Sequence, residues 1–143
     1  QEGAEIANVL LGQLEAIADL VSQAEAHPSR SRAAIETRLR DQLAALSADI
    51  TLPPERLAQE ALLLATKADI QEEIDRLRAH IAAARKLIAE GGPVGRRLDF
   101  LAQEFNREAN TLCSKANAVE LTAIGLDLKA SIDQLREQVQ NIE

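Results

Sequence analysis

Two groups of polar side chains in this chain sit on helix-period apolar frames, and their residue types suit phosphate chemistry. The first group is Asp69, Glu73, Arg76 and His80. At 100° per residue these four fall within about 60° of one another, bordering an apolar edge of Ile74, Leu77 and Ile81. The second is Glu104, Arg107, Glu108, Thr111 and Lys115, a stripe running beside Leu98, Leu101, Phe105, Ala109 and Leu112. A helix built only to pack needs those apolar residues and not so many specific polar neighbours. Carboxylates with one histidine hold a hard divalent ion such as Mg²⁺ or Mn²⁺. Such an ion polarises a phosphoryl oxygen or lowers the pKa of a bound water, and nearby arginines hold the phosphate. Glu73, His80, Glu104 and Glu108 are therefore the candidate metal ligands and acid–base groups. Arg76, Arg96, Arg97, Arg107 and Lys115 are the candidate phosphate contacts. A plainer account competes with this one, because Glu73–Arg76 and Glu104–Arg107 are also ordinary helix-surface spacings worth about 0.2–0.5 kcal/mol each. No CxxC pair, HExxH, Walker-type loop or nucleophile elbow occurs, and Gly91-Gly92 reads first as a helix terminator.

The elements that must position these residues are helices. The chain has 143 residues, two phenylalanines and no tryptophan or tyrosine. Alanine, leucine and isoleucine mixed with Glu, Gln, Lys and Arg mark long helices, and no period-2 run of β-branched residues offers a sheet. The fold class is all-α. The spacing predicts helices over about 5–26 and 31–46, a connector over 47–54, a long helix over 55–90 and a further helix from Gly95 to the end. His27 is expected to meet free carbonyls at the end of the first helix. Pro53, Pro54 and Glu55 mark the start of the long helix. The seam of the last stretch slips by about two residues near 114–117, which predicts a bend, an unwound segment or a change of packing partner. The Gly91-Gly92-Pro93 link folds the third helix back on the fourth as an elongated, antiparallel coiled-coil-like pair. Alanine-rich seams predict a core shared among several chains.

Net charge is −7, yet Arg76, Arg78, Arg85, Lys86, Arg96 and Arg97 face only Glu90 between positions 76 and 97. An acidic chain with such a basic segment can still meet RNA. Nothing resembles a signal peptide or an apolar membrane span, and a single cysteine, Cys113, forms no internal disulfide, so a cytoplasmic setting is expected. Cys113 reads as a packed residue and not a nucleophile. The lack of methionine marks the chain as the C-terminal part of a longer protein.

The run Gln103-Glu104-Phe105-Asn106-Arg107-Glu108-Ala109-Asn110-Thr111, with Asp69 to His80, Ser114-Lys115 and the closing Arg136 to Glu143, resembles the YicC/YloC family of bacterial proteins. The detailed match covers residues 59–143, which correspond to that family's C-terminal domain, two long helices joined at Gly91–Gly95. Residues 1–58 resemble its helical middle region, a helix pair, and the family's N-terminal domain is absent. The resemblance implies a metal-dependent endoribonuclease acting on single-stranded or structured small RNA and assembling as a homo-oligomer, hexameric in the full-length family. The rival expectation is a non-catalytic oligomeric coiled-coil adaptor that recruits RNA or another nuclease.

Overall fold

A computed structural model describes residues 2–46 and 53–142, and every regular element among them is helical. The order is α1 (Glu2–Ala26), a 3-10 turn (Pro28–Arg30), α2 (Arg32–Leu46), α3 (Pro54–Lys67), α4 (Gln71–Glu90), α5 (Gly95–Lys115) and α6 (Val119–Ile142). The connector expected over 47–54 lies outside the described residues except for its two prolines. Pro54 opens α3 with Glu55 in its first turn, where a missing N–H costs nothing and a carboxylate meets the helix dipole.

Four of the helices form an antiparallel bundle in which α1 packs on α4 and α6, and α5 packs on the same two. Their apolar stripes close one core, with Leu14 and Ile17 from α1, Ile74 and Leu77 from α4, Phe105 and Leu112 from α5, and Leu128 and Ile132 from α6 all fully enclosed. These residues close one core within the chain. Ion pairs edge the bundle: Arg78 meets Glu25 at 2.7 Å and Arg85 meets Glu15 at 3.4 Å across α1 and α4, while Arg136 meets Asp99 at 3.5 Å across α5 and α6. The α2–α3 hairpin stands at the end of the bundle beside the α5–α6 link, where the Arg38 guanidinium donates to the Asn117 carbonyl.

Three local details differ from the periodicity. The helix expected over 55–90 is two helices, because Asp69 takes a capping role. Its carboxylate accepts the Gln71 N–H at 2.9 Å, the Asp69 N–H turns back to the Thr66 carbonyl, and Ile70 plugs the core at the break. The slipped seam near 114–117 is a full chain reversal. α5 ends at Lys115, Ala116 is extended, and α6 starts at Val119. His27 caps the 3-10 turn instead of α1, its Nδ1 accepting the Ser29 N–H at 3.1 Å.

The reversal brings α5 and α6 unusually close. A Cβ on buried Gly125 would sit 2.6 Å from the Cys113 Sγ and 3.3 Å from a Leu112 methyl. Between α4 and α5 the reversal is made by Gly91 and Gly92, both with positive φ (72° and 77°), where a side chain would be strained.

Candidate metal centre

The short Gly91–Gly92 turn sets the register of α4 against α5, so that His80 comes opposite Phe105 and Arg76 opposite Glu108. The His80 ring meets Phe105 edge to face, with centroids 5.9 Å apart and planes at 85°. This contact turns the imidazole toward the outer groove between the two helices, beside the carboxylates one turn apart on α5. One ligand atom each from His80, Glu104 and Glu108 lies within 4.8 Å of the others. His80 and Glu104 are half-buried, Glu108 is buried, and neither of the first two has a side-chain hydrogen-bond partner among the described residues. Three donors at about 2.0–2.2 Å from a shared ion lie about 3–3.6 Å from one another, so the side chains would close by up to about 1–2 Å to hold it. The donor set fits a divalent cation.

The other expected carboxylate is engaged differently. Glu73, 1% exposed, accepts from the Lys115 ammonium at 3.2 and 3.0 Å and from the Arg76 guanidinium at 3.2 Å. Arg76 also donates its Nε to Glu108 Oε1 at 2.8 Å, so it bridges the two buried carboxylates. The Glu108 hydrogen bond is the main reason its guanidinium is held above its ordinary pKa, with charge attraction from Glu108, Glu73 and Glu72 adding to it. One oxygen of Glu108 is thus fixed by an arginine, leaving the second for a ligand. Lys115 reaches Glu73 from the last turn of α5, where a cation also meets the helix C-terminal dipole.

The remaining sequence candidates fall elsewhere. Arg107 is exposed on α5 one turn from Glu104 and has no ion pair among the described residues. Arg96 and Arg97 open α5 beside the turn, some 10–12 Å along the axis from Glu104. Asp69 has left the α4 stripe for its cap and meets Arg30 at 3.4 Å. The Phe105 ring that orients His80, and the α1 contacts behind α4, were not among the sequence candidates. An aromatic at the position facing a histidine across a tight helical turn is the signal for the first; nothing local signals the second. Burial pushes the Cys113 thiol up, which keeps it protonated and unsuited to attack.

No helix among the described residues is long and apolar enough to cross a membrane. Residues 24–143 match the family described as endoribonuclease YicC-like, C-terminal. The chain is 48% identical over 96 residues to the probable endoribonuclease YicC of Haemophilus influenzae, covering 67% of this chain and 33% of that protein. It is 33% identical over 144 residues to the probable endoribonuclease YicC of Clostridioides difficile, covering all of this chain and 49% of that one. The chain therefore spans about half or less of the length of these curated relatives. The family match over most of the chain and the agreement of two relatives place it in one group: this chain belongs to the endoribonuclease YicC-like C-terminal family.

Proposed function

We propose that the α4–α5 groove is the metal-binding part of an endoribonuclease site, with His80, Glu104 and Glu108 holding a divalent cation. The names of the relatives support RNA as substrate, and the single observation that carries the site is the convergence of these three side chains within 4.8 Å. Between the two hard cations that carboxylates favour, the imidazole donor selects Mn²⁺ over Mg²⁺. When bound, such an ion supplies charge to a phosphoryl oxygen and acidifies a coordinated water. The protein's own groups do the rest. Arg76 locks the Glu108 carboxylate so that one oxygen stays aimed into the groove, and Glu73 with Lys115 locks Arg76 in turn. Arg107, with no ion pair among the described residues and one turn from Glu104, holds a phosphate of the strand as it lies along the groove. Glu73 is thus a positioning residue behind the ligands, and Lys115 serves it before it serves RNA.

Replacing Glu104 by Gln or His80 by Ala should abolish RNA cleavage that EDTA suppresses, while helix content by circular dichroism stays unchanged. Cleavage at the wild-type rate in both variants would refute the assignment. The same reading takes the complete protein as a homo-oligomer, a hexamer by family resemblance, and light scattering of the complete protein measures that mass.

A second reading, a non-catalytic adaptor recruiting RNA or another nuclease, is favoured by one observation. Arg76 and Lys115 already neutralise Glu73 and half of Glu108 within the chain, as a purely structural network would. RNA that stays intact in Mn²⁺ with purified complete protein, yet is bound by it, selects this reading.

A further inference from the structure

Between the metal centre and the Gly91–Gly92 turn, α4 and α5 also border a cleft of about 440 Å³ lined by Lys86, Leu87, Arg96, Arg97 and Phe100 among others. Phe100 is one of two phenylalanines in the chain, and the two have opposite fates. Phe105 is fully enclosed, whereas Phe100 is 61% exposed. An aromatic ring left in water on a helix with a complete core behind it does nothing for the fold. Its neighbours are cationic. Lys86, Arg96 and Arg97 are exposed and have no carboxylate within ion-pair reach among the described residues. Glu90 also lines the cleft and leaves the local balance at two positive charges in a chain whose net charge is −7. An exposed ring flanked by free arginines and a lysine is the composition of a stacking platform for single-stranded nucleic acid: the ring takes a base face, the cations take the phosphates.

We infer that Phe100, with Arg96, Arg97 and Lys86, forms a base-stacking subsite for single-stranded RNA that feeds the strand to the His80–Glu104–Glu108 centre. The inference rests on the reading of that centre as a nuclease site. Phe100 precedes Glu104 by one helical turn and Glu108 by two, about 6–12 Å along the axis. At about 3.4 Å per stacked nucleotide the stacked base lies two or three nucleotides from the bond that is cut. The subsite also explains how an acidic protein holds a polyanion: the positive charge is confined to one end of the acidic groove.

The test is fluorescence anisotropy with a labelled hexa-adenylate in EDTA, which removes any contribution of the metal, alongside cleavage in Mn²⁺. Phe100→Ala should weaken binding about tenfold, equivalent to about 1.4 kcal/mol, and Phe100→Trp should restore it. Arg96→Ala with Arg97→Ala should flatten the salt dependence by about 1.4 in log–log slope. A Phe100→Ala protein that melts like the wild type and binds the oligonucleotide equally well overturns the subsite. Glu104→Gln separates the two readings. If it binds the oligonucleotide normally but no longer cleaves, both stand. If it cleaves normally while Phe100→Ala loses binding, the nuclease centre falls and the subsite remains.

Discussion

Replacing Lys115 by Met removes the cation that neutralises a buried carboxylate while keeping the aliphatic stem of the side chain. Glu73 is 1% exposed and receives hydrogen bonds from two groups, Lys115 at 3.0 and 3.2 Å and Arg76 at 3.2 Å. Breaking a fully buried pair by deleting one partner costs about 3–5 kcal/mol, because the other charge is left without compensation. Two features reduce that here. The Lys115 side chain is 33% exposed, so its own desolvation is partial, and Arg76 stays in place to hold one oxygen. The expected loss is about 2 kcal/mol, which lowers the melting temperature by about 6–8 °C in a chain of this size. Replacing Glu73 by Leu in the same background removes the stranded charge and should recover most of the loss, because an apolar substitute for a buried ion pair is close to neutral. Thermal and urea unfolding of the four proteins of this cycle measure it. A Lys115→Met protein within about 0.5 kcal/mol of the wild type, or a double variant no better than the single, would refute the claim that Lys115 exists to satisfy Glu73.

Gly125→Ala should destabilise the bundle by about 1–2 kcal/mol, overpacking against Cys113 outweighing the gain in helix propensity, and Cys113→Ala in the same chain should remove the penalty; equal melting of Gly125→Ala with and without Cys113 counts against that contact. The Glu25 carboxylate, held by Arg78 and then Gln71, is depressed from its ordinary 4.5 to about 2. Its contribution to stability is therefore complete above about 4.5 and disappears as pH falls toward 2. Wild type and Arg78→Gln should accordingly differ most in melting temperature near neutral pH and converge in acid, and a gap independent of pH removes the pair from the account. Asp69→Ala should cost about 1 kcal/mol through loss of the cap on α4, read in urea unfolding, and an unchanged midpoint means that Ile70 alone sets the break.

Much of the helical outline is legible in the residues because it rests on the period of the apolar positions alone. α1 and α2 begin and end within three residues of where Ile6 to Val21 and Ile35 to Leu46 place them. The break at Ala68–Ile70 is written in that period too, although one continuous helix over 55–90 overlooks it: Leu57, Ala61, Leu64 and Ala68 share one face, whereas Ile74, Leu77, Ile81 and Ala84 lie about 150° round from it. A second, local signal stands beside it: Asp69 is a short side chain placed to accept the Gln71 N–H at the start of α4. The reversal after Lys115 shows in the sequence only as a slipped seam, because phase records that a helix face has changed and not which way the chain then runs. The candidate centre behaves alike. Stripe angles mark Glu73, His80, Glu104 and Glu108 equally. They cannot tell that Lys115, a full helix length from the turn, comes back beside Glu73, whereas Phe105 turns His80 toward Glu104 and Glu108. Ligand and positioning roles diverge through contacts between helices, and those depend on the register that Gly91 and Gly92 set.

The central claim, that the α4–α5 groove is built around a cation, is tested most directly by titrating the protein with Mn²⁺ under electron paramagnetic resonance or calorimetry. Wild type should take up a single ion per chain, Glu104→Gln and His80→Ala should each lose that binding, and Phe100→Ala should keep it. Equal Mn²⁺ uptake by wild type, Glu104→Gln and His80→Ala, or no uptake by the wild type at millimolar ion, would contradict it.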